Sequence, residues 1–236
     1  MNSYRSTLYA AYSSTFGEGK PFATDTQWPV YEGTYTLPAS RDLAVADIGC
    51  GHGEWLLWMK SKGFSNLRGF EFSESEPAKE LEKQHIPITF GDAVESLEGF
   101  PQAFDLIHAK DVIEHFTKDE MVVFLQTARK ALRPGGVLWL LTFNAQAPLA
   151  NATRYGDFTH ESGFTPMSLA QVVRATGFRE VHVRGIINHS GSWKSALRVG
   201  LYRMLSVPPA MLLRLRHGGG SSHATVLPDL FATARV

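Results

Sequence analysis

The sequence predicts a doubly wound α/β domain on a mostly parallel sheet, and three observations carry that prediction. Apolar runs of strand length alternate with segments of helical spacing between residues 43 and 143. A glycine-rich loop joins the first run to the first helical segment. Acidic residues then recur where the next two runs end. Such alternation builds βαβ units, whose parallel strands need helices on both faces.

Taken in order, residues 1–41 are rich in Tyr, Ser, Thr and Gly without a clear period, and read as a short helix-and-loop cap on a main domain of residues 42–236. Strands are expected at Leu43–Ile48, Leu67–Phe70, Ile86–Phe90, Phe104–Ala109 and Val137–Phe143. Helices are expected at Glu54–Lys62, Ser75–Gln84 and Lys118–Leu132. Arg133-Pro134-Gly135-Gly136 ends the last of these and turns the chain into the next strand. Residues 145–166 break the rhythm as a long polar and aromatic segment, and loops of that length are usually functional or disordered. A helix then runs from Pro166 to about Thr176, stopped by Gly177. Two more strands, Phe178–Ile187 and Leu227–Val236, close the domain, with an insertion at 192–217 between them.

Bulk properties narrow the partners. The 236 residues hold 23 Lys and Arg against 23 Asp and Glu, a balance that argues against nucleic acid as a general partner. One cysteine, Cys50, excludes an internal disulfide. No signal peptide is visible and no run reaches the ~20 apolar residues of a spanning helix, so a cytoplasmic protein is expected.

The chemistry begins at Val45-Ala46-Asp47-Ile48-Gly49-Cys50-Gly51-His52-Gly53, a strand running into alternate glycines and then a helix. Glycines admit close backbone approach, and a helix N-terminus favours an anionic group; a nucleotide pyrophosphate or a carboxylate satisfies both. The dinucleotide fingerprint fails, because Glu54 stands where its third glycine belongs. The second strand ends at Glu71, where an acid can accept both ribose hydroxyls. The third ends at Gly91-Asp92-Ala93, where a carboxylate can accept an adenine amino group.

On these residues, with Phe104–Asp111 and Leu132–Val137, the segment 44–143 resembles the core of the class I S-adenosylmethionine-dependent methyltransferases, a Rossmann-like family. The resemblance implies a seven-stranded sheet with its last strand antiparallel, and S-adenosylmethionine as cofactor. It also implies a cofactor site of Asp47, Gly49, Cys50, Gly51, Gly53, Glu71, Phe72, Asp92, Ala93 and, at the end of the fourth strand, Lys110.

Methyl transfer is an in-line displacement, so the protein positions the acceptor and, for a hydroxyl, removes a proton. His115 and His160 are the candidate bases, with Asp157 as an orienting carboxylate for His160. Asp111, Glu114, His115 and His160 also resemble the ligand pattern of magnesium-assisted O-methyltransferases. Asp111 is shorter than the Glu usual there, so a divalent metal is the less favoured reading. Residues 154–169 mix aromatics with donors and acceptors, which suits a sugar, and are similar to methyltransferases of bacterial surface polysaccharides. The expected activity is therefore O-methylation of a saccharide or saccharide-linked hydroxyl. A small phenol, quinol or amine acceptor and a non-catalytic cofactor-binding subunit are the alternatives. The insertion 192–217 is apolar and basic without an acid, as expected of a peripheral membrane contact, a homodimer surface or a cover over the substrate.

Overall fold

The computed structural model describes residues 7–8, 24–72, 81–189, 191–217 and 225–236. Most of the helix expected at Ser75–Gln84 and the Gly218–Gly220 run lie outside them. A seven-stranded sheet organises the rest: β1 (Val45–Ile48), β2 (Leu67–Glu71), β3 (Ile88–Phe90), β4 (Phe104–Lys110), β5 (Leu132–Phe143), β6 (Arg179–Ile186) and β7 (Asp229–Arg235). Their order across the sheet is β3-β2-β1-β4-β5-β7-β6. Pairing is parallel from β3 to β5; β7 runs antiparallel to both β5 and β6. The order reverses between β1 and β4, and that switch point opens the crevice where ligands bind in open α/β sheets.

Two cores flank the sheet. On one face α4 (Lys118–Ala131) and α6 (Pro166–Ala175) bury Phe124, Leu125, Leu169 and Val173 against Ile48, Ile107 and Leu140. A capping box at Thr117 and Glu120 starts α4, and Thr165 with Ser168 starts α6 in the same way. On the other face α2 (Glu54–Ser61) and α1 (Thr24–Thr34) enclose an aromatic group of Tyr31, Tyr35, Trp55, Trp58, Trp139 and Phe231. Tyr35 stacks on Trp139 at 5.3 Å.

Inside this aromatic core lies a polar chain. Asp47 on β1 stands opposite His108 on β4, and Asp47 Oδ1 accepts from His108 Nδ1 at 2.6 Å. Because the imidazole proton sits on Nδ1 in that bond, His108 Nε2 accepts from the Tyr35 hydroxyl at 2.8 Å. Trp55 stacks on the imidazole at 4.0 Å. Burial and the Asp47 charge hold the Tyr35 hydroxyl well above its ordinary pKa, which keeps it a donor.

Several elements differ from the sequence reading. β5 begins at Leu132, five residues early, and Arg133–Gly136, with Gly135 at φ 79°, are absorbed as a bulge opposite Phe104 to Leu106. The strand expected from Leu43 starts at Val45. A helix absent from the reading, α3 (Ala93–Glu98), follows Asp92, whose side chain caps it by accepting from the Val94 and Glu95 amides. The long segment after β5 contains a short helix, α5 (Ala150–Arg154), and the insertion consists of α7 (Trp193–Leu205) and α8 (Val207–His217).

Removing the partner of a buried carboxylate leaves its charge uncompensated. His108→Ala is therefore expected to lower the unfolding free energy by about 3–5 kcal/mol in urea denaturation, and Tyr35→Phe by about 1 kcal/mol. Equal, small effects would mean that Asp47 is neutralised without its partner.

Candidate active site

The C-terminal edge of the sheet at the switch point gathers the loop after β1, the ends of β2 and β3, and the segments after β4 and β5. The loop backbone is fastened from β2: the Gly49 and Cys50 amides donate to Phe70 O, and the Gly51 amide donates to Glu71 Oε2 at 2.8 Å. The other oxygen, Glu71 Oε1, accepts from the Phe72 amide at 2.9 Å. Each carboxylate oxygen has a second lone pair, so Glu71 can still accept hydroxyls while holding the loop. Gly51 has φ 52°, and a Cβ there would meet nothing within 4 Å, so the loop borders open space. Gly53 has φ 76°, and a Cβ there would run into the Leu81 side chain, so glycine suits this start of helix α2.

Not every expected ligand residue faces that space with its side chain. Asp47 is 3% exposed and its carboxylate is directed to His108, beneath the loop. Cys50 is buried, 2.8 Å from the position of a Cβ on Gly69, and burial pushes its thiol far above the ordinary range. These two residues shape the loop from below. Phe72 is exposed beside Glu71, and Asp92 and Ala93 open α3 at the end of β3. The Asp47–His108 pairing had a legible signal: each is a polar residue flanked on both sides by buried apolar neighbours within its strand.

At the end of β4, the Lys110 ammonium lies 2.5 Å from the Asp111 carboxylate. Asp111 takes a positive φ of 55°, which turns the chain back towards the 3₁₀ turn Ile113–His115. Glu114 is 2% exposed, and its Oε2 has no hydrogen-bond partner. Burial, then the neighbouring Asp111 charge, raises its pKa to about 8. Asp229 at the start of β7 is raised to about 6 by burial and by Asp111. The sequence reading placed Glu114 among metal ligands; the structure makes it a buried acid that keeps its proton through neutral pH.

The two histidines do meet. Their rings lie 4.8 Å apart, and His160 stacks on Phe143 at 5.4 Å. His160 Nδ1 is 3.0 Å from Thr153 O; a carbonyl only accepts, so Nδ1 carries the proton and Nε2 the lone pair. Thr159 Oγ1 donates to Asp157 Oδ1 at 2.6 Å and therefore accepts from His115 Nδ1 at 2.9 Å, which fixes the same tautomer on His115. Asp157 thus acts on His115 through Thr159, a relay absent from the sequence reading, where Asp157 was to orient His160. Burial, then the neighbouring His160, lowers the His115 pKa. Among the described residues, His115, Asp157 and His160 bring ligand-capable atoms within 4.8 Å of one another. The donor–acceptor chain through Thr159 already satisfies His115 and Asp157 in the absence of a cation, so these three fit a proton relay better than an ion.

Beside His160 opens a cleft of about 220 Å³ lined by Phe143, Ala145, Ala150, Asn151, Arg154 and Gly163. Arg154 is committed to the loop it faces, donating to the carbonyls of His160 and Glu161.

A sheet in this order, with a glycine loop after β1 and an acid ending β2, defines an α/β enzyme that binds a nucleoside cofactor. The chain belongs to the methyltransferase domain family, whose profile matches residues 33–183, and it is an S-adenosylmethionine-dependent methyltransferase. It is 28% identical over 187 residues to the ubiquinone biosynthesis O-methyltransferase of Methylobacterium sp. (strain 4-46), across 70% of this chain and 72% of that one. Its fold is similar to that of a SAM-dependent methyltransferase from Archaeoglobus fulgidus, with a TM-score of 0.64 at 19% identity over 97% of this chain and 99% of that one. It is also similar to phosphoethanolamine N-methyltransferase 2 of Haemonchus contortus in complex with S-adenosyl-L-methionine, with a TM-score of 0.63 at 16% identity over 100% of this chain and 60% of that one.

Removing the Glu71 carboxylate takes away the acceptor of two backbone amides. Glu71→Ala is expected to weaken S-adenosylhomocysteine binding at least about tenfold by calorimetry, and unchanged affinity would remove Glu71 from the cofactor site. Glu114 and Asp229 hold their protons more tightly in the fold than in the unfolded chain. Their favourable contribution is therefore complete below the ordinary carboxyl range and is lost as pH rises through about 6 for Asp229 and about 8 for Glu114. Wild-type Tm should fall across that window, and Glu114→Gln should flatten the upper part; parallel curves would contradict the assignment.

Proposed function

We propose that the enzyme methylates a hydroxyl oxygen on a flat ring acceptor of the phenol or quinol class. The observation that carries this reading is the His115–His160 pair, with both Nδ1 protons held by fixed acceptors, an arrangement that puts the basic lone pair of His160 on Nε2. S-adenosylmethionine supplies an electrophilic methyl group on a sulfonium. The Gly49–Gly53 backbone with Glu71, Phe72, Asp92 and Ala93 would hold it along the sheet edge, and Lys110 would close the end of that site. His160 takes the acceptor proton at Nε2 as the oxygen becomes a nucleophile, and Thr153 O steadies the resulting imidazolium at Nδ1. His115, anchored by Thr159 and Asp157, sits beside it as a second proton store.

The acceptor class follows from acidity and from the cleft lining. A phenol, with a pKa of about 10, lies within reach of an imidazole near 6.5, whereas an aliphatic sugar hydroxyl is a far weaker acid. Phe143 offers a ring surface beside the small residues Ala145, Ala150 and Gly163, and Arg154 already spends donors on two carbonyls. The similarity to a ubiquinone biosynthesis O-methyltransferase supports the same class. A saccharide-linked hydroxyl is the second reading, favoured by Asn151 in the cleft and by the exposed Tyr155 and Phe158 rings beside it.

The test supplies radiolabelled S-adenosylmethionine with catechols, quinols and mono- and disaccharides in parallel. Label should enter the phenolic set; label confined to saccharides would transfer the assignment to the second reading. His160→Ala should lower kcat for the accepted substrate by about 10²–10⁴-fold and leave S-adenosylhomocysteine affinity unchanged. Undiminished turnover would exclude His160 as the base.

A further inference from the structure

Helices α7 and α8 present an apolar face away from the protein. The positions of α7 that turn inward are Ser195, Val199, Tyr202 and Ser206, in steps of three and four. Tyr202 Oη donates to Val226 O, and Arg198 donates to Asn188 O, which pins the helix to the ends of β7 and β6. The opposite side of the same helix carries Trp193, Leu197, Leu201 and Met204, exposed at 72%, 56%, 48% and 61%. α8 adds exposed Met211, Leu212 and Leu215. A surface helix normally turns its polar side outward; here both helices carry large apolar side chains on the exposed side, and exposed apolar clusters mark interaction surfaces.

The charges border this patch and share one sign. Lys194, Arg198, Arg203, Arg214 and Arg216 lie within residues 192–217, which contain no acid. The whole chain balances 23 basic against 23 acidic residues, so the remainder carries an excess of five acids. On α7, Lys194 and Arg198 lie on one flank of the apolar stripe and Arg203 on the other, with Lys194 over the Trp193 ring at 5.8 Å. A second copy seated on this face would bring five positive charges against five. An anionic surface is the complementary partner.

The location ties the face to catalysis. β6 runs parallel to β5, since both are antiparallel to β7, so the β6–β7 connection leaves the same edge of the sheet as the glycine loop and the cleft. Asn144 Nδ2, at the end of β5, donates to Thr225 O and Leu227 O at the far end of that connection. No helix among the described residues is long and apolar enough to cross a membrane, so any lipid contact made by these helices is interfacial.

We propose that α7 and α8 seat the enzyme on an anionic phospholipid bilayer, with Trp193, Leu197, Leu201 and Met211 among the acyl chains and the flanking Lys and Arg at the headgroups. The seat holds the catalytic edge at the lipid surface, and it stands whether or not the acceptor is a phenol. Flotation of the full chain tests it with two kinds of vesicle: phosphatidylcholine alone, and phosphatidylcholine mixed with about one-third phosphatidylglycerol. Binding to the mixed vesicles alone, weakened by added salt, is expected. It should fall at least about tenfold both in Leu197→Glu/Met211→Glu and in Arg203→Gln/Arg214→Gln/Arg216→Gln, two sets of exposed positions. Three outcomes would overturn the proposal: no wild-type flotation, flotation equal across the variants, or a wild-type dimer that Leu197→Glu/Met211→Glu makes monomeric without changing flotation.

Discussion

A hydrogen-bonded pair in the middle of an aromatic core, Asp47 with His108, is the interaction around which the catalytic edge is organised. Burying a carboxylate costs several kcal/mol unless an excellent partner is present, and His108 Nδ1 at 2.6 Å is that partner. The arrangement joins four parts of the chain. β1 supplies Asp47, β4 supplies His108, α2 lays Trp55 on the imidazole, and the segment after α1 contributes the Tyr35 hydroxyl. Two residues beyond Asp47 the backbone breaks into the glycine loop. The loop therefore leaves the sheet from a strand end that cannot slide, and Glu71 catches its far side at the Gly51 amide.

Much of the sheet was legible because parallel strands buried on both faces appear as uninterrupted apolar runs, and five such runs lie in order between residues 43 and 143. The glycine loop and the acid at Glu71 were legible for a related reason: a strand end that holds a nucleoside needs bare backbone on one side and a carboxylate on the next strand. An acid two residues before a glycine loop looks like a ligand contact, and the structure directs the Asp47 carboxylate to His108 beneath the loop. Only the register, which sets it opposite His108, reveals the partner. The extension of β5 through Arg133–Gly136 was hidden because Pro and Gly normally stop a strand. The excess length is stored as a shift against β4, which no local pattern encodes.

The catalytic side was legible only in its members. His115 and His160 are 45 positions apart, and their meeting depends on Glu161 and Ser162 donating to the Glu114 carbonyl, backbone bonds that draw the long segment over the turn after β4. Thr159, which fixes the His115 tautomer, carries no motif at all. Glu114 illustrates the converse. Its residue type suggested a ligand, but the fold buries it beside Asp111, where desolvation keeps the proton on the carboxyl. The proposed reaction accordingly uses the two imidazoles, rather than this acid, as bases.

The central claim is that an edge fixed from below by Asp47 and from the side by Glu71 receives the nucleoside of the methyl donor. A crystal structure with S-adenosylhomocysteine tests it most directly. The account predicts the ribose hydroxyls within hydrogen-bond distance of the Glu71 carboxylate, with the Gly51 amide still bonded to that same group and the sulfur directed towards the cleft beside His160. Density for the nucleoside elsewhere, or a Glu71 side chain turned away from the ribose, would contradict it.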